Sequence, residues 1–313
     1  MESSNSVELP QVLAIMGPTA SGKTELAVAL AHELGGELVN ADSRQAIAEL
    51  NVGVCKPTAA ELQGVVCHGL DWRELGQPFS VATFRKLAAA TLGEIAGRDQ
   101  LAIVVGGTGL YIRALLGGFD FGKVAPDRET TATSGRLPLT GASSAQNVLE
   151  LQILDADRAD QIDLKNPRRV NRALELVRAG ARAQQSPPAW STIKLACRVG
   201  PVELRDRIEV RSEKLMADPL RLEVARLEAE GFSRELLSRS AIGYAEVVDW
   251  SLGRCGRHDA VQRVTARTWR YAKAQLTWLR SEPGLEWVNA ESSQPEMVSR
   301  ALSVIHSGPA KRK

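Results

Sequence analysis

The sequence predicts an α/β protein: a parallel sheet flanked by helices, carrying a mainly helical insertion and completed by C-terminal helices. Three observations lead there. From Gln11 to about Tyr111, short and wholly apolar runs alternate with helical stretches; a glycine-, serine- and threonine-rich stretch interrupts this near Gly117; and amphipathic helices resume after a last apolar run at 194–200. Strands that are apolar on both sides and alternate with helices belong in a parallel sheet covered on both faces. With 313 residues, one large domain or a core plus a smaller one is expected. A hydrophobic content of 44% with 24% charged residues excludes wholesale disorder.

Each element has its own local signature. Residues 11–16 (QVLAIM) form a strand-length run, followed by glycines and by TELAVALAHELG (24–35), apolar at helical spacing with a stop at Gly35. Residues 37–41 (ELVNA) read as the second strand, 82–97 as a helix ending at Gly97, and 101–105 (LAIVV) as the third strand. A helix begins within 108–118. Residues 117–147 have little periodicity and read as irregular. Helical pattern returns at 148–162 and at 167–180, then stops at QQSPP (184–188). The expected division is therefore 1–122 as the first part of the core, 123–185 as an inserted helical domain, and 186–288 as core completion. That last part holds a strand at 194–200 and helices near 203–230, 234–250 and 258–280. The polar stretch 289–313, ending in KRK, is expected to be a disordered tail.

Composition narrows the surroundings. No apolar run approaches the roughly 18–20 residues that a membrane helix needs, so no membrane partner is expected. The N-terminus is polar and acidic, unlike a secretory signal. Cys55, Cys67, Cys197 and Cys255 are scattered without a CxxC pair, which argues against a disulfide framework or zinc site and suits a reducing cytoplasm. The net charge of +2 neither demands nor excludes a nucleic-acid partner.

The strongest motif is GPTASGKT (17–24), a match to G-x-x-x-x-G-K-[ST] that follows a strand and opens a helix. The backbone amides of Ala20 to Thr24 are expected to wrap an anionic group at a helix N-terminus. Gly17, Thr19, Ala20, Ser21, Gly22, Lys23 and Thr24 form the loop; Lys23 bridges two phosphates as a point charge, and Thr24 offers a hydroxyl to Mg²⁺. The motif says polyphosphate and nothing about the reaction. The third strand ends in VVGGTG with no carboxylate, which weakens ATPase and GTPase readings.

In an open parallel sheet, ligands sit outside the carboxyl ends of the strands. The three strands end in the phosphate loop, at Asp42-Ser43-Arg44-Gln45, and at Gly106-Gly107-Thr108-Gly109, so the three tips are expected to surround one pocket. Asp42 then reads either as a general base beside the phosphates, or as a helix cap or indirect magnesium partner. Thr108 reads either as a ligand hydroxyl or as a plain N-cap.

Seven segments, GPTASGKT, NADSRQ, Lys56-Pro57, VGGTGLYIRAL, RRVNRALE, IGYAEV and YAKAQLTWLR, follow the order and approximate spacing of the tRNA dimethylallyltransferases, which the chain resembles from about Leu13 to Trp287. The resemblance implies a P-loop-kinase-like core with an inserted helical domain. It implies transfer of the dimethylallyl group of dimethylallyl diphosphate to N6 of the adenine 3′ of the anticodon (adenine 37), with Mg²⁺, in a monomeric cytoplasmic enzyme. It further implies that Thr19 to Thr24 hold the donor's diphosphate, that Asp42 accepts the proton from N6, and that Thr108 contacts the adenine nucleotide or the diphosphate. Asp42, Ser43, Arg44 and Gln45, together with Arg168, Arg169, Val170, Asn171 and Arg172, would touch the anticodon stem-loop of tRNA. The C-terminal motif of the family is usually T-R-x-Y-A-K-R-Q, whereas this chain has Thr268-Trp269-Arg270-Tyr271-Ala272-Lys273-Ala274-Gln275. Arg267 or Arg270 is expected to stand in for the arginines it lacks.

Charge distribution points the same way. Arg168, Arg169, Arg172, Arg178 and Arg182 crowd one helix against Glu175 alone, and Arg263, Arg267 and Arg270 share a face opposite Trp269, Ala272, Leu276 and Leu279. Two basic stripes suit a large polyanion, although a single one reads as an ordinary solvated face. Three other readings remain at this stage: a P-loop small-molecule kinase, a prenyltransferase of free AMP, and a non-catalytic RNA-binding protein.

Overall fold

The computed structural model describes residues 11–117, 141–160, 162–178 and 190–307. The chain forms two compact units, Met1–Leu116 with Pro188–Lys313, and Gly117–Pro187. The first holds a six-stranded parallel sheet of β1 (Val12–Met16), β2 (Gly36–Asn40), β3 (Cys67–His68), β4 (Leu101–Gly106), β5 (Thr192–Arg198) and β6 (Leu285–Asn289), in the order β3-β2-β4-β1-β5-β6.

Alternation along the strands feeds two cores. Leu13, Ile15, Leu38, Ile103, Val105, Ile193, Leu195 and Cys197 face one side, under α1 (Lys23–Leu34). Val12, Ala14, Met16, Val39, Ala102, Val104 and Ala196 face the other, under α3 (Val81–Ala96) and α4 (Gly109–Leu116). A short helix, α2 (Ala59–Leu62), lies between β2 and β3. α1 stops where Gly35 takes φ 66, and α3 starts where the Ser80 hydroxyl accepts the Thr83 amide.

In the second unit, α5 (Gly141–Leu154), α6 (Ala156–Asp160) and α7 (Pro167–Arg178) close a small core of Leu151, Ala159, Val170, Ala173 and Leu174. Of the stretch expected to be irregular, 118–140 lies outside the described residues, and from Gly141 the chain is helical.

After β5 come α8 (Pro201–Leu215), α9 (Asp218–Ala229), α10 (Arg234–Ser240), α11 (Tyr244–Ser251) and α12 (Arg257–Arg280). The helix expected over 203–230 breaks before Pro219, which has no amide to continue a preceding turn. The one expected over 234–250 breaks where Ala241 is extended and Gly243 takes φ 106. A third core of Ile47, Leu50, Val54, Leu220, Val224, Leu237, Tyr244, Val247 and Val264 joins these helices to the segment after β2.

The expected disordered tail, 289–313, is corrected as far as residue 307; 308–313 lies outside the described residues. Residues 285–289 add the sheet's edge strand, and α13 (Gln294–Ser307) follows, burying Met297, Ala301 and Ile305 in the α1 core. Their i, i+4, i+8 spacing is an amphipathic stripe inside a polar stretch. Among the described residues, no helix is long and apolar enough to cross a membrane.

Candidate active site

Sheet register brings the three strand tips level. β4 lies between β2 and β1, with Met16 opposite Gly106 and Asn40 opposite Val105. The phosphate loop, Asp42 and Thr108 therefore leave the sheet at one edge, at its carboxyl ends.

The phosphate loop turns through left-handed backbone at Ala20 (φ 64) and Gly22 (φ 80). For Ala20 this costs roughly 1–2 kcal/mol, strain of the sort that surrounding structure must hold in place. Among the described residues, the amides of Ala20, Gly22, Lys23 and Thr24 find no acceptor. They form a nest of donors at the N-terminus of α1, where the helix dipole also favours negative charge. Lys23 lies beside them, its ammonium 3.4 Å from the Pro18 carbonyl. Burial pushes the Lys23 pKa down, Asp42 is the strongest influence opposing this, and Arg211 adds to the depression. Asp42 and Arg211 thus lie within electrostatic range of Lys23. Beneath the loop, burial pushes the Cys197 thiol up to about 12, so it stays neutral.

Asp42 uses one oxygen structurally. Its Oδ1 accepts the Arg44 amide at 2.8 Å, closing a turn, and its own amide donates to Asn40 Oδ1 at 3.0 Å. Among the described residues, the second oxygen accepts from no protein donor. No helix follows Asp42, so the helix-cap reading is replaced by this turn, and the second oxygen remains open to the base reading. Thr108 does not cap its own helix: its Oγ1 accepts the Ser43 amide at 3.1 Å, and its side chain lies near the Tyr271 phenol. Burial pushes the Tyr271 phenol up, and Asp42 adds to this. Arg44 is exposed, and Gln45 donates to the carbonyls of Val54 (3.3 Å) and Cys55 (2.8 Å).

One side chain ties two tips together. Gln275 on α12 accepts the Thr19 amide at 2.9 Å and donates to the Gly107 carbonyl at 3.0 Å. Gly107 permits this, because a Cβ there would stand 2.1 Å from Gln275 Nε2. Gln275, Tyr271 and Arg211 are site residues that sequence reasoning missed. The first two lie in the quoted C-terminal motif, one turn apart on α12.

The basic stripes are weaker than expected. On α12, Arg267 pairs with the buried Glu246 and Arg263 approaches Asp249 at 3.5 Å, leaving Arg270 as the member with no ion pair among the described residues. On α7, Arg172 pairs with Glu175, and Arg178 pairs with Glu150 through two nitrogens. Arg169 is exposed, and Asn171 accepts from Asn147 at 2.8 Å. The side chain of Arg168 and all of Arg182 lie outside the described residues. Val170 is corrected: it is 1% exposed in the core of its unit, so its side chain cannot touch RNA. Its neighbours Ala173, Leu174 and Val177 share that apolar face.

A family model described as "IPP transferase" matches residues 45–282. The chain belongs to this family. It is 42% identical over 287 residues to a tRNA dimethylallyltransferase of Anaeromyxobacter sp. (strain Fw109-5), covering 89% of this chain and 94% of that one. It is 38% identical over 303 residues to a tRNA dimethylallyltransferase 1 of Citrifermentans bemidjiense, covering 94% and 97%. Among solved structures, it is similar to the full-length tRNA isopentenylpyrophosphate transferase of Bacillus halodurans, with a TM-score of 0.69 and 30% identity over 95% of this chain and 97% of that one. An IPP transferase fold places a cradle of unpaired amides, a lysine and a carboxylate at the same sheet edge in this chain.

Proposed function

We propose that this chain transfers the dimethylallyl group of dimethylallyl diphosphate to N6 of the adenine 3′ of the anticodon (adenine 37) in tRNA, as a monomer in the cytoplasm. Family membership and the names of its relatives support transfer of a prenyl group to tRNA. The observation that carries the mechanism is that the sheet register brings the phosphate loop and the Asp42 tip to one sheet edge, either side of the β4 tip, with the loop amides unpaired among the described residues.

In the reaction, the allylic C–O bond breaks and the diphosphate leaves with the electron pair. The unpaired amides of the loop and Lys23 are suited to meet that negative charge as it develops, the arrangement that usually contributes most to such catalysis. The new C–N bond forms at N6, and the displaced proton passes to the open oxygen of Asp42. A general base of this kind contributes roughly 10²–10⁴ in rate. Thr108 and Tyr271 border the same carboxylate and shape the place of the incoming base. That base must leave its stack, which is least costly in a single-stranded loop.

Among the described residues, no group of three or more His, Cys, Asp or Glu side chains could hold a metal. Thr24 at the start of α1 fits Mg²⁺ in another way, since this ion is usually carried at phosphate sites by one or two protein oxygens, substrate phosphates and water. When bound, Mg²⁺ would neutralise charge on the leaving diphosphate.

The test is to incubate the protein with dimethylallyl diphosphate, Mg²⁺ and an anticodon stem-loop bearing consecutive adenines, with AMP in a parallel reaction. A prenylated adenosine in the stem-loop, detected by mass, is expected. Product only from AMP, or from neither, would overturn the assignment.

A further inference from the structure

We infer that Glu223, together with Tyr244, is a positioning residue for the RNA-binding tip that follows Asp42, acting through the 51–55 loop and Gln45. The inference rests on the function proposed above. Glu223 lies on α9, 6% exposed and outside the quoted motifs, whereas Tyr244 belongs to the IGYAEV segment. Its carboxylate takes three consecutive backbone amides: Asn51 at 2.9 Å and Val52 at 2.8 Å on Oε2, and Gly53 at 3.1 Å on Oε1. The Tyr244 hydroxyl, itself wholly buried, donates to Oε1 at 2.5 Å. A Cβ at Gly53 would stand 2.2 Å from the Tyr244 ring, so the loop and the phenol meet at closest approach.

Four donors fix this carboxylate, and the carboxylate in turn fixes the direction of the chain at 51–53. The next two carbonyls, Val54 and Cys55, are the ones that receive the side-chain amide of Gln45. An amide group donating to two carbonyls has its nitrogen turned toward them and its oxygen turned away. The buried carboxylate thus sets the orientation of Gln45 from outside the crevice. Arg226, one turn along α9, donates to the Glu49 carbonyl at 2.9 Å and clamps the same segment. Ile47, Leu50 and Val54 already anchor it through apolar contact. Burying a charge beside those contacts supplies direction, which apolar packing alone supplies poorly.

A double-mutant cycle tests this, using prenylation of an anticodon stem-loop, with thermal unfolding of every variant as a fold check. Glu223→Gln keeps the volume but turns an N–H₂ group toward amide donors, and is expected to raise KM for the stem-loop about tenfold while changing KM for dimethylallyl diphosphate less than about twofold. In a Gln45→Ala background, the same change is expected to have less than about a twofold further effect, since its route is already cut. Tyr244→Phe removes one donor and is expected to raise the stem-loop KM about threefold. It replaces Glu223→Gln in the cycle if that variant does not fold. Additive effects across the cycle, or equal losses for both substrates, would overturn the inference. Absence of product from the unsubstituted protein would instead overturn the function itself, so the two failures are distinct.

Discussion

The phosphate loop and the tip after β2 sit side by side at one sheet edge yet are built by opposite means. The loop leaves the amides of Ala20, Gly22, Lys23 and Thr24 without protein acceptors, and side-chain support reaches it through Gln275. The tip is instead held by side chains: Asn40, Asp42, Thr108 and Glu223 together accept the amides of residues 42, 43, 44, 51, 52 and 53, and Gln45 and Lys56 donate to its carbonyls. A cradle for an anion must keep its donors open until the anion completes them. A platform for a base edge must hold its direction beforehand. The contrast assigns the donor half of the reaction to one tip and the acceptor half to the other.

Breaking either half should have separable results. The largest expected effect is that of Asp42→Ala, which should slow product formation by roughly 10²–10⁴ in single-turnover assays while stem-loop affinity stays nearly unchanged. A comparable loss of affinity would make Asp42 a binding residue instead. Lys23→Ala should follow, with a fall of roughly 10²–10³ in kcat/KM for the prenyl diphosphate and little change in stem-loop binding. Gln275→Ala should strike the phosphate loop and the neighbouring β4 tip, because it frees the Thr19 amide and the Gly107 carbonyl together. The expected cost is about 1–3 kcal/mol of stability by denaturant unfolding, with reduced turnover of both substrates. The smallest effect should come from the exposed face of α12: Arg270→Ala should weaken stem-loop binding modestly and reduce its salt dependence, as expected for one phosphate contact.

A pH experiment sharpens the contrast from outside the site. Glu37 is 7% exposed at the far end of β2, where burial alone would raise its pKa, but hydrogen bonds from His68 and Arg98 outweigh this and hold it below the model-peptide value of 4.5. A depressed carboxylate stabilises the fold above its unfolded pKa, and that contribution is lost as pH falls through the folded value. Unfolding midpoints should therefore decline below about pH 4.5, and Glu37→Gln should lower stability at pH 7 and flatten the decline. Kinetic pH dependence near neutrality should be unaffected by that substitution.

Much of this was legible in the sequence, and the rest was hidden for definite reasons. Lys23, Thr24, Asp42 and Thr108 each lie within a few residues of an apolar strand, so strand ends alone placed them at one edge. Gln275, Tyr271, Arg211 and Glu223 reach the same edge from helices over 100 residues away, and no local pattern carries that distance. Strand β3 is two residues long, too short for any period to register. The helix α13 was visible in principle through Met297, Ala301 and Ile305, but the polar residues around them outweighed the stripe in composition. Val170 sits within the RRVNRALE segment yet on its buried face, which the motif as a block does not distinguish. Its spacing to Ala173, Leu174 and Val177 marks the buried face of α7. Charge patterning misled in a similar way, since the partners of Arg267 and Arg178 lie on other helices.

The claim on which everything else depends is that the amide cradle and the open oxygen of Asp42 face one cavity. A crystal structure with bound inorganic diphosphate and Mg²⁺ tests it most directly. The account predicts diphosphate oxygens on the amides of Ala20 to Thr24 and on Lys23, with the Asp42 carboxylate opening onto the same space. A diphosphate bound elsewhere, or an Asp42 side chain turned into the protein away from it, would contradict the account.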